Sequence, residues 1–448
     1  MKPNILFLLI DSLRADKCHG DKKSSIIPNI DSLIQQGAYF NQAISATDGT
    51  FTSLGSILTS LLPFKTHISW FHNHSKATKF FDFLKNNGYH TYATVPNMPF
   101  FPNLTTNFDD KDITDGNPYL NLYQGAGEMI VQRISNTNKE PWIYFIHAMD
   151  LHGNELPQKE FNDEHYGSDD YERRLSSLDA WIGKILEKID KEKTLIVLTA
   201  DHGEHIHDLV MHPEYIPSVH KIFKNGARFV PDFLSPTGLK LFVAIRTMAS
   251  KIRMRRYRQE LNEDEMRTLI QRGAGTLYDE VLRVPLIFSG YGITSHKIIP
   301  QQVRHIDIFP TIMDLLNLPL GEVDGNSLLP HFNNEKIDEL PAYIENVSAI
   351  EQSQGNTIGV RMSTYKYYRA RKNPKENVTL FDLINDPDEK NNIANSNPDI
   401  VKNMEKILVG FTNNTLSEST KKLSRDEKRR SIKNRMRLDV ISYETDSD

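Results

Sequence analysis

Cysteine is nearly missing from this chain: Cys18 is the only one in 448 residues. An intramolecular disulfide is therefore excluded, and so is a thiolate metal cluster. The shortage fits a reducing compartment. Long apolar runs are missing as well. The N-terminal run "ILFLLI" is too short for the apolar region of a signal peptide or for a membrane span, and Asp11 follows it at once. No other stretch reaches about 18 apolar residues, so the sequence predicts a cytoplasmic protein. A large charge of one sign is also lacking. The net charge of −5 is small for this length and argues against a protein that coats nucleic acid. No internal repeat is visible.

What is present suits a soluble globular chain: 39% hydrophobic and 25% charged residues. The length exceeds one compact domain, which predicts a large core plus an appended piece or insertion. "NILFLLI" reads as a strand buried on both faces, and 142–149, 194–200 and 284–290 look alike. Between them lie helical patterns: "PNIDSLIQQGAYF", "ATKFFDFLKNNGY" and "YERRLSSLDAWIGKILEKI". In the last, Leu175, Leu178, Ile182, Ile185 and Ile189 keep helical spacing. Buried strands alternating with amphipathic helices predict an α/β sheet sandwiched by helices.

Residues from about 205 to 272 interrupt the rhythm, with Pro213, Pro217, Pro231 and Pro236 and then a basic amphipathic stretch. Leu241, Ile245, Met248 and Ile252 share one face of that stretch, with Arg246 and Arg253 off it. Two readings stand: a helical insertion packed on the main domain, or a basic surface (239–258) that meets an anionic substrate or an anionic membrane. Beyond about 335 the pattern turns short and strand-like, which predicts a small antiparallel subdomain over 336–412. The charged end, 413–448, reads as a mobile tail or peripheral helix. The catalytic part would then span 1–335.

In sheets of this kind ligands gather at the carboxyl ends of the strands. Asp11 follows the first strand directly, Asp150 and His152 follow "WIYFIHAM", and Asp201 and His202 follow "TLIVLTA". Asp11, Asp201 and His202 form a donor set without thiolate. With a Thr hydroxyl it suits Mn²⁺, Mg²⁺ or Zn²⁺, while a pure oxygen cage would suit Ca²⁺ better. One divalent cation is expected, with a second position open to one of His205, His207, His212 or His220. His147 reads as a satisfied strand histidine.

Seven motifs then occur in an order that resembles the sulfatases of the alkaline phosphatase superfamily. They are "KPNILFLLIDSLRAD", "IIPNIDSLIQQGAYFNQAISA", "TFTSLGSILTSLLPFKTHI", "LIVLTADHGEH", "TLYDEVLRVPLIFSG", "RHIDIFPTIMDLLNLP…VDGNSLLP" and "TLFDLINDPDEKNNIA". The resemblance implies a three-layer α/β/α sandwich with a large mixed central sheet, a smaller C-terminal α+β subdomain, and a divalent cation beside a nucleophile. It places Asp11, Asp201 and His202 among the metal ligands. Thr50 falls where sulfatases carry the Cys or Ser that becomes formylglycine, and His152 matches a histidine near the transferred group. There are departures. Cys/Ser-x-Pro-Ser-Arg reads here as Thr50-Phe51-Thr52-Ser53-Leu54. The usual second aspartate after the first strand is Ser12. The lysine expected before "LYDEVLRVPL" is absent, leaving Arg272 as a candidate for its charge.

Threonine has a secondary β-carbon, so oxidation would give a ketone and not an aldehyde. Thr50 should stay an alcohol. The sequence therefore predicts a metal-dependent hydrolase of a sulfate or phosphate ester, with phosphodiesters favoured chemically. Thr50 would be nucleophile and metal ligand, and His152 an acid for the leaving group. Arg14, Asp150 and His152 are candidates for substrate contact. For Arg14 the structural salt bridge is the preferred reading, and Asp150 also reads as a group that orients His152, serves a second metal or closes a turn. The expected partner is an anionic ester, such as a sulfated or phosphorylated glycan, lipid or small molecule, and not a nucleic acid. The rivals are a phosphotransferase acting on a glycan or lipid head group, and a non-catalytic binding protein on the same scaffold.

Overall fold

The structure is a computed structural model. It describes residues 2–69, 77–98, 100–114, 121–137, 139–153, 155–205, 276–293, 297–333, 335, 337–347 and 354–412. The segment 239–258, with its expected membrane contact, lies outside the described residues, as do nearly all of the 205–272 insertion, Arg272 and the 413–448 tail. Among the described residues no helix is long and apolar enough to cross a membrane.

The apolar runs form the middle of a nine-stranded sheet. Its strands are β1 (Asn4–Ile10), β2 (Ala38–Ile44), β3 (His90–Pro96), β4 (Asp110–Thr114), β5 (Trp142–Ala148), β6 (Thr194–Ala200), β7 (Arg283–Gly290), β8 (Lys297–Ile299) and β9 (Val303–Arg304). They lie in the order β4-β3-β5-β1-β6-β7-β2-β8, with β9 also paired to β2. Every residue of β1, β5 and β6 is buried, as expected of strands covered on both faces. These three, with β3 and β4, run parallel. β7 runs antiparallel to both β6 and β2, so the sheet is mixed. A buried apolar run carries no mark of its direction, which is why β7 was legible as a strand but not as a reversed one.

The covering helices fall into two groups by contact. One contains α1 (Pro28–Gln36), α4 (Ala126–Ser135) and α5 (Asp170–Leu186); the other contains α2 (Thr50–Thr59), α3 (Lys79–Asn86) and α6 (Ile308–Leu315). α5 starts where Asp169 accepts the Glu172 N–H, and it buries Leu175, Leu178, Ile182 and Ile185. Ile189 lies beyond its end but is buried too. The sequence expectation for "PNIDSLIQQGAYF" needs correcting: the helix stops at Gln36, and Ala38 opens β2. Gly37 makes the switch. A Cβ there would sit 2.4 Å from the Phe288 carbonyl oxygen of β7.

The second sheet is antiparallel, in the order β10 (Ala342–Val347), β11 (Gln354–Arg361), β12 (Tyr365–Ala370) and β13 (Thr379–Asp382). A helix over 398–412, α7, packs Met404 and Leu408 with Ile358, Val360, Tyr367 and Leu380. The sheet also meets the loop that leads into α2. Glu345 N–H donates to the Ala46 carbonyl at 3.0 Å, and Val347 N–H donates to Asp48 Oδ1 at 2.6 Å. The second sheet thereby braces the segment that presents Thr50.

Candidate metal centre and active site

β5, β1 and β6 are adjacent and parallel, so their carboxyl ends open on one edge of the sheet. Register sets Ile10 beside both Ala148 and Ala200. The next residues out from β1 and β6 are Asp11 and Asp201. Thr50 opens α2, whose ten residues are all buried, and it points at the same place. Thr50 Oγ1 lies 3.3 Å from Asp11 Oδ2 and 3.2 Å from His202 Nε2. His202 Nε2 is 3.4 Å from Asp201 Oδ2. The four residues that the sequence singled out as ligands therefore converge from three separate stretches of chain.

Their hydrogen bonds leave lone pairs facing one another. His202 Nδ1 bonds the Gly203 carbonyl oxygen at 2.7 Å, which requires a proton on Nδ1, so the neutral ring presents Nε2 as an acceptor. Asp201 Oδ1 accepts the N–H groups of Ser12 and His202, but its Oδ2 has no partner although it is buried. Ser12, where the family resemblance expects an aspartate, adopts a left-handed φ of 65° and donates its hydroxyl to Asp11 Oδ1 at 2.7 Å. An orphaned carboxylate oxygen, a second carboxylate and an imidazole lone pair, all buried, fit a divalent cation.

The electrostatics point the same way. Burial opposes charge on Asp11, but the imidazoles of His152, His147 and His202 outweigh it and hold the carboxyl well below its usual range. Burial, with Asp11 beside it, pushes Asp201 up to about 7. Two carboxylates this close cannot both ionise comfortably without a cation.

His152 comes to the cluster as well. Its Nδ1 is 2.8 Å from Asp11 Oδ1, and its side chain is 23% exposed, the only one of these groups to reach the mouth. Arg14 and Asp150 do not join. The Arg14 guanidinium makes two bonds to Asp16 and one to the Glu204 carbonyl. The Asp150 carboxylate turns to the Leu122 N–H, at 3.0 and 3.1 Å, and burial pushes it up to about 7. His205 is buried against Glu280 at 3.2 Å, and His207, His212 and His220 lie outside the described residues. Cys18 is fully buried, and burial raises its thiol well above the usual range, which disfavours a nucleophilic thiolate.

Two histidines were missed. His147 is not a satisfied strand histidine: it is buried beside Asp11, and neither ring nitrogen has a hydrogen-bond partner. The signal was a lone His inside the apolar run "WIYFIHAM". His305 lies behind α2, with Nδ1 3.4 Å from Ser53 Oγ; Ser53 itself donates to the Asp201 carbonyl at 2.6 Å. Burial lowers His305 to about 3, so it supports this wall as a neutral ring.

Known proteins resemble this chain over most of its length. A family model described as Sulfatase matches residues 3–318, and a second, described as N-sulphoglucosamine sulphohydrolase, C-terminal, matches 274–414. Arylsulfatase K of Gallus gallus is 33% identical over 153 residues, which are 32% of this chain but only 28% of that relative. Delta 4,5-hexuronate-2-O-sulfatase of Bacteroides thetaiotaomicron is 33% identical over 128 residues, 27% of this chain and 26% of the relative. Ps i-CgsB, solved in complex with k-i-k-neocarrahexaose, superposes with a TM-score of 0.63 at 19% identity, covering 92% of this chain and 93% of that one.

Proposed function

The chain belongs to the sulfatase family, and from that premise we propose that it is a metal-dependent hydrolase of a sulfuric ester, with the intact hydroxyl of Thr50 as nucleophile. The observation that carries the reading is the position of Thr50 Oγ1, within 3.3 Å of both Asp11 Oδ2 and His202 Nε2. Asp11, Thr50, Asp201 and His202 would hold the cation. When bound, it supplies positive charge that lowers the pKa of the hydroxyl and offsets charge on the ester oxygens.

The chain's own groups do the rest. The Asp11 carboxylate stands where it can accept the Thr50 proton. Thr50 Oγ1 bonds sulfur as the bond from sulfur to the alcohol oxygen breaks. His152, oriented through Nδ1 by Asp11 and reaching the mouth, protonates the departing alcohol. Water then attacks sulfur, the bond to Oγ1 breaks, and sulfate leaves. The substrate class we propose is a sulfated glycan. The names of the Bacteroides relative and of the oligosaccharide bound in the solved neighbour support it.

Thr50 itself favours a second reading. A formylglycine hydrate expels sulfate with its second hydroxyl, and threonine has none. A phosphorylated Thr50 is cleared by in-line attack of water or of an acceptor alcohol, which would make the protein a phosphodiesterase or phosphotransferase. Assays of an aryl sulfate, an aryl phosphate and a bis-aryl phosphodiester, each with added divalent cation, separate these readings. Metal-dependent turnover of the sulfate is expected, falling about 10³-fold or more in Thr50→Ala. Activity retained in that variant removes Thr50 as nucleophile. Turnover of the phosphodiester alone selects the second reading. Metal bound without turnover of any probe leaves a binding protein.

A further inference from the structure

The ligand set above leaves His147 unused. It is the penultimate residue of β5, beside Leu9 of β1 and two residues short of Asp11, so its ring lies along the wall of the cluster. The side chain has no exposed surface. A buried imidazole with both nitrogens unpaired forfeits the full desolvation of an N–H and a lone pair, which native interiors avoid unless something else satisfies the group. Phe101 fixes the ring from one side, edge to face, with centroids 4.7 Å apart. Nε2 stands 3.5 Å from Asp11 Oδ2, at the long limit of a hydrogen bond.

That spacing is odd for a hydrogen bond but ordinary for two ligands of one ion. One donor atom each from Asp11, His147 and Asp201 lies within 4.8 Å of the other two. Donors about 2.0–2.4 Å from a shared cation stand up to about 4.8 Å apart across it. Asp201 Oδ2 is a buried orphan too, so two of these three residues carry an unsatisfied group. Ser12 adds no third carboxylate, since its hydroxyl is a donor to Asp11.

We infer that His147 is a ligand of the cation, giving the centre two carboxylates and two imidazoles and a preference for a borderline-soft cation such as Zn²⁺ over Ca²⁺. The inference rests on the reading that a cation sits among Asp11, Thr50, Asp201 and His202. Calcium prefers an all-oxygen shell, whereas imidazole nitrogen suits zinc and its neighbours. Replacing a carboxylate by a neutral ring also lowers the negative charge that would attract calcium.

The test uses the full chain, stripped with a chelator and titrated with Zn²⁺ or Ca²⁺ alone. Zinc should bind about 100-fold tighter than calcium. His147→Leu should weaken zinc about tenfold or more and calcium less than about threefold. X-ray absorption at the zinc edge should count two imidazoles in the wild type and one in the variant. Metal-free melting serves as the check on folding, and the wild-type count decides the matter even if the variant folds poorly. One imidazole in the wild type, or unchanged zinc affinity in a folded His147→Leu, overturns the role of His147 alone. Wild-type binding of neither cation, or unchanged binding in Asp201→Asn, overturns the cation site itself.

Discussion

Asp150 shows how one buried carboxylate can serve structure next to an active site. Its oxygens hold the Leu122 N–H, and the Arg174 guanidinium reaches its backbone carbonyl at 3.3 Å. Burial pushes the carboxyl up to about 7, well above the ~3.9 of an unfolded chain. Between about pH 4 and pH 7 the folded state therefore binds more protons at this residue than the unfolded state does. Stability falls as pH rises through that window and levels off above it. Asp150→Asn keeps an acceptor for Leu122 and removes the titration. We expect the variant to gain on the wild type between pH 5 and pH 7.5, by on the order of a few kcal/mol, in urea unfolding followed at each pH. A constant difference across that range would mean that Asp150 does not titrate there. Asp11, Asp201 and His202 were legible because each stands at the end of an apolar run, where the strand-end rule applies. Thr50 became legible through motif order. Asp150 and Arg14 occupy equally suggestive places, yet their side chains turn to Leu122 and Asp16, which spacing cannot reveal. His147 was hidden for the opposite reason, as one polar letter inside a core strand.

At the scale of elements, the site depends on loops pressed against backbone that comes from far along the chain. Gly203 follows His202, a ligand in the proposed centre. Its N–H donates to the Val281 carbonyl at 2.7 Å, and its own carbonyl accepts the proton of His202 Nδ1. A Cβ at Gly203 would lie 2.1 Å from the Glu280 carbonyl oxygen, too close without backbone movement. Gly203→Ala should therefore cost about 1–3 kcal/mol in unfolding free energy and turn the His202 ring away from Thr50. Cation affinity should fall with it, measured by calorimetry on the folded variant. Wild-type stability together with wild-type affinity would show that the contact yields at no cost. "TADHGEH" announces a polar turn, but its glycine is needed for a partner 77 positions later, and nothing local records that. The same holds for Gly37, which splits what reads as one helical pattern into α1 and β2. Strand positions were legible from apolar runs; strand direction and helix ends set by distant neighbours were not.

On the scale of the whole molecule, the second sheet is tied to the catalytic sheet by apolar packing and by a buried ion cluster. Ile44, Leu277 and Leu282 pack with Ala342, Ile344, Tyr368 and Phe381. Beside them, the fully buried Lys366 of β12 bridges Asp279 and Glu389 at 2.5 Å each and donates to the Leu277 carbonyl. Arg361 of β11 pairs with Asp279 from the other side at 2.8 Å. Burial opposes charge on the half-buried Asp279, yet the Arg361 and Lys366 cations hold its carboxyl far below the usual range. It therefore contributes stability above the unfolded carboxylate pKa, which is lost as pH falls below about 4. Burial raises Glu389 despite the lysine, so that carboxylate depends heavily on its partner. Lys366→Met keeps the length and apolar body of the side chain but leaves Glu389 facing Asp279 with no cation between them. Breaking a buried pair from one side costs about 3–5 kcal/mol, so the variant should unfold at clearly lower denaturant than the wild type. Adding Glu389→Gln should recover part of the loss, because it removes the stranded charge and keeps the shape. The second sheet braces the loop before Thr50 through Glu345 and Val347, so loosening this joint should also lower turnover without touching any ligand. A Lys366→Met protein with wild-type stability would mean that apolar packing alone joins the two sheets.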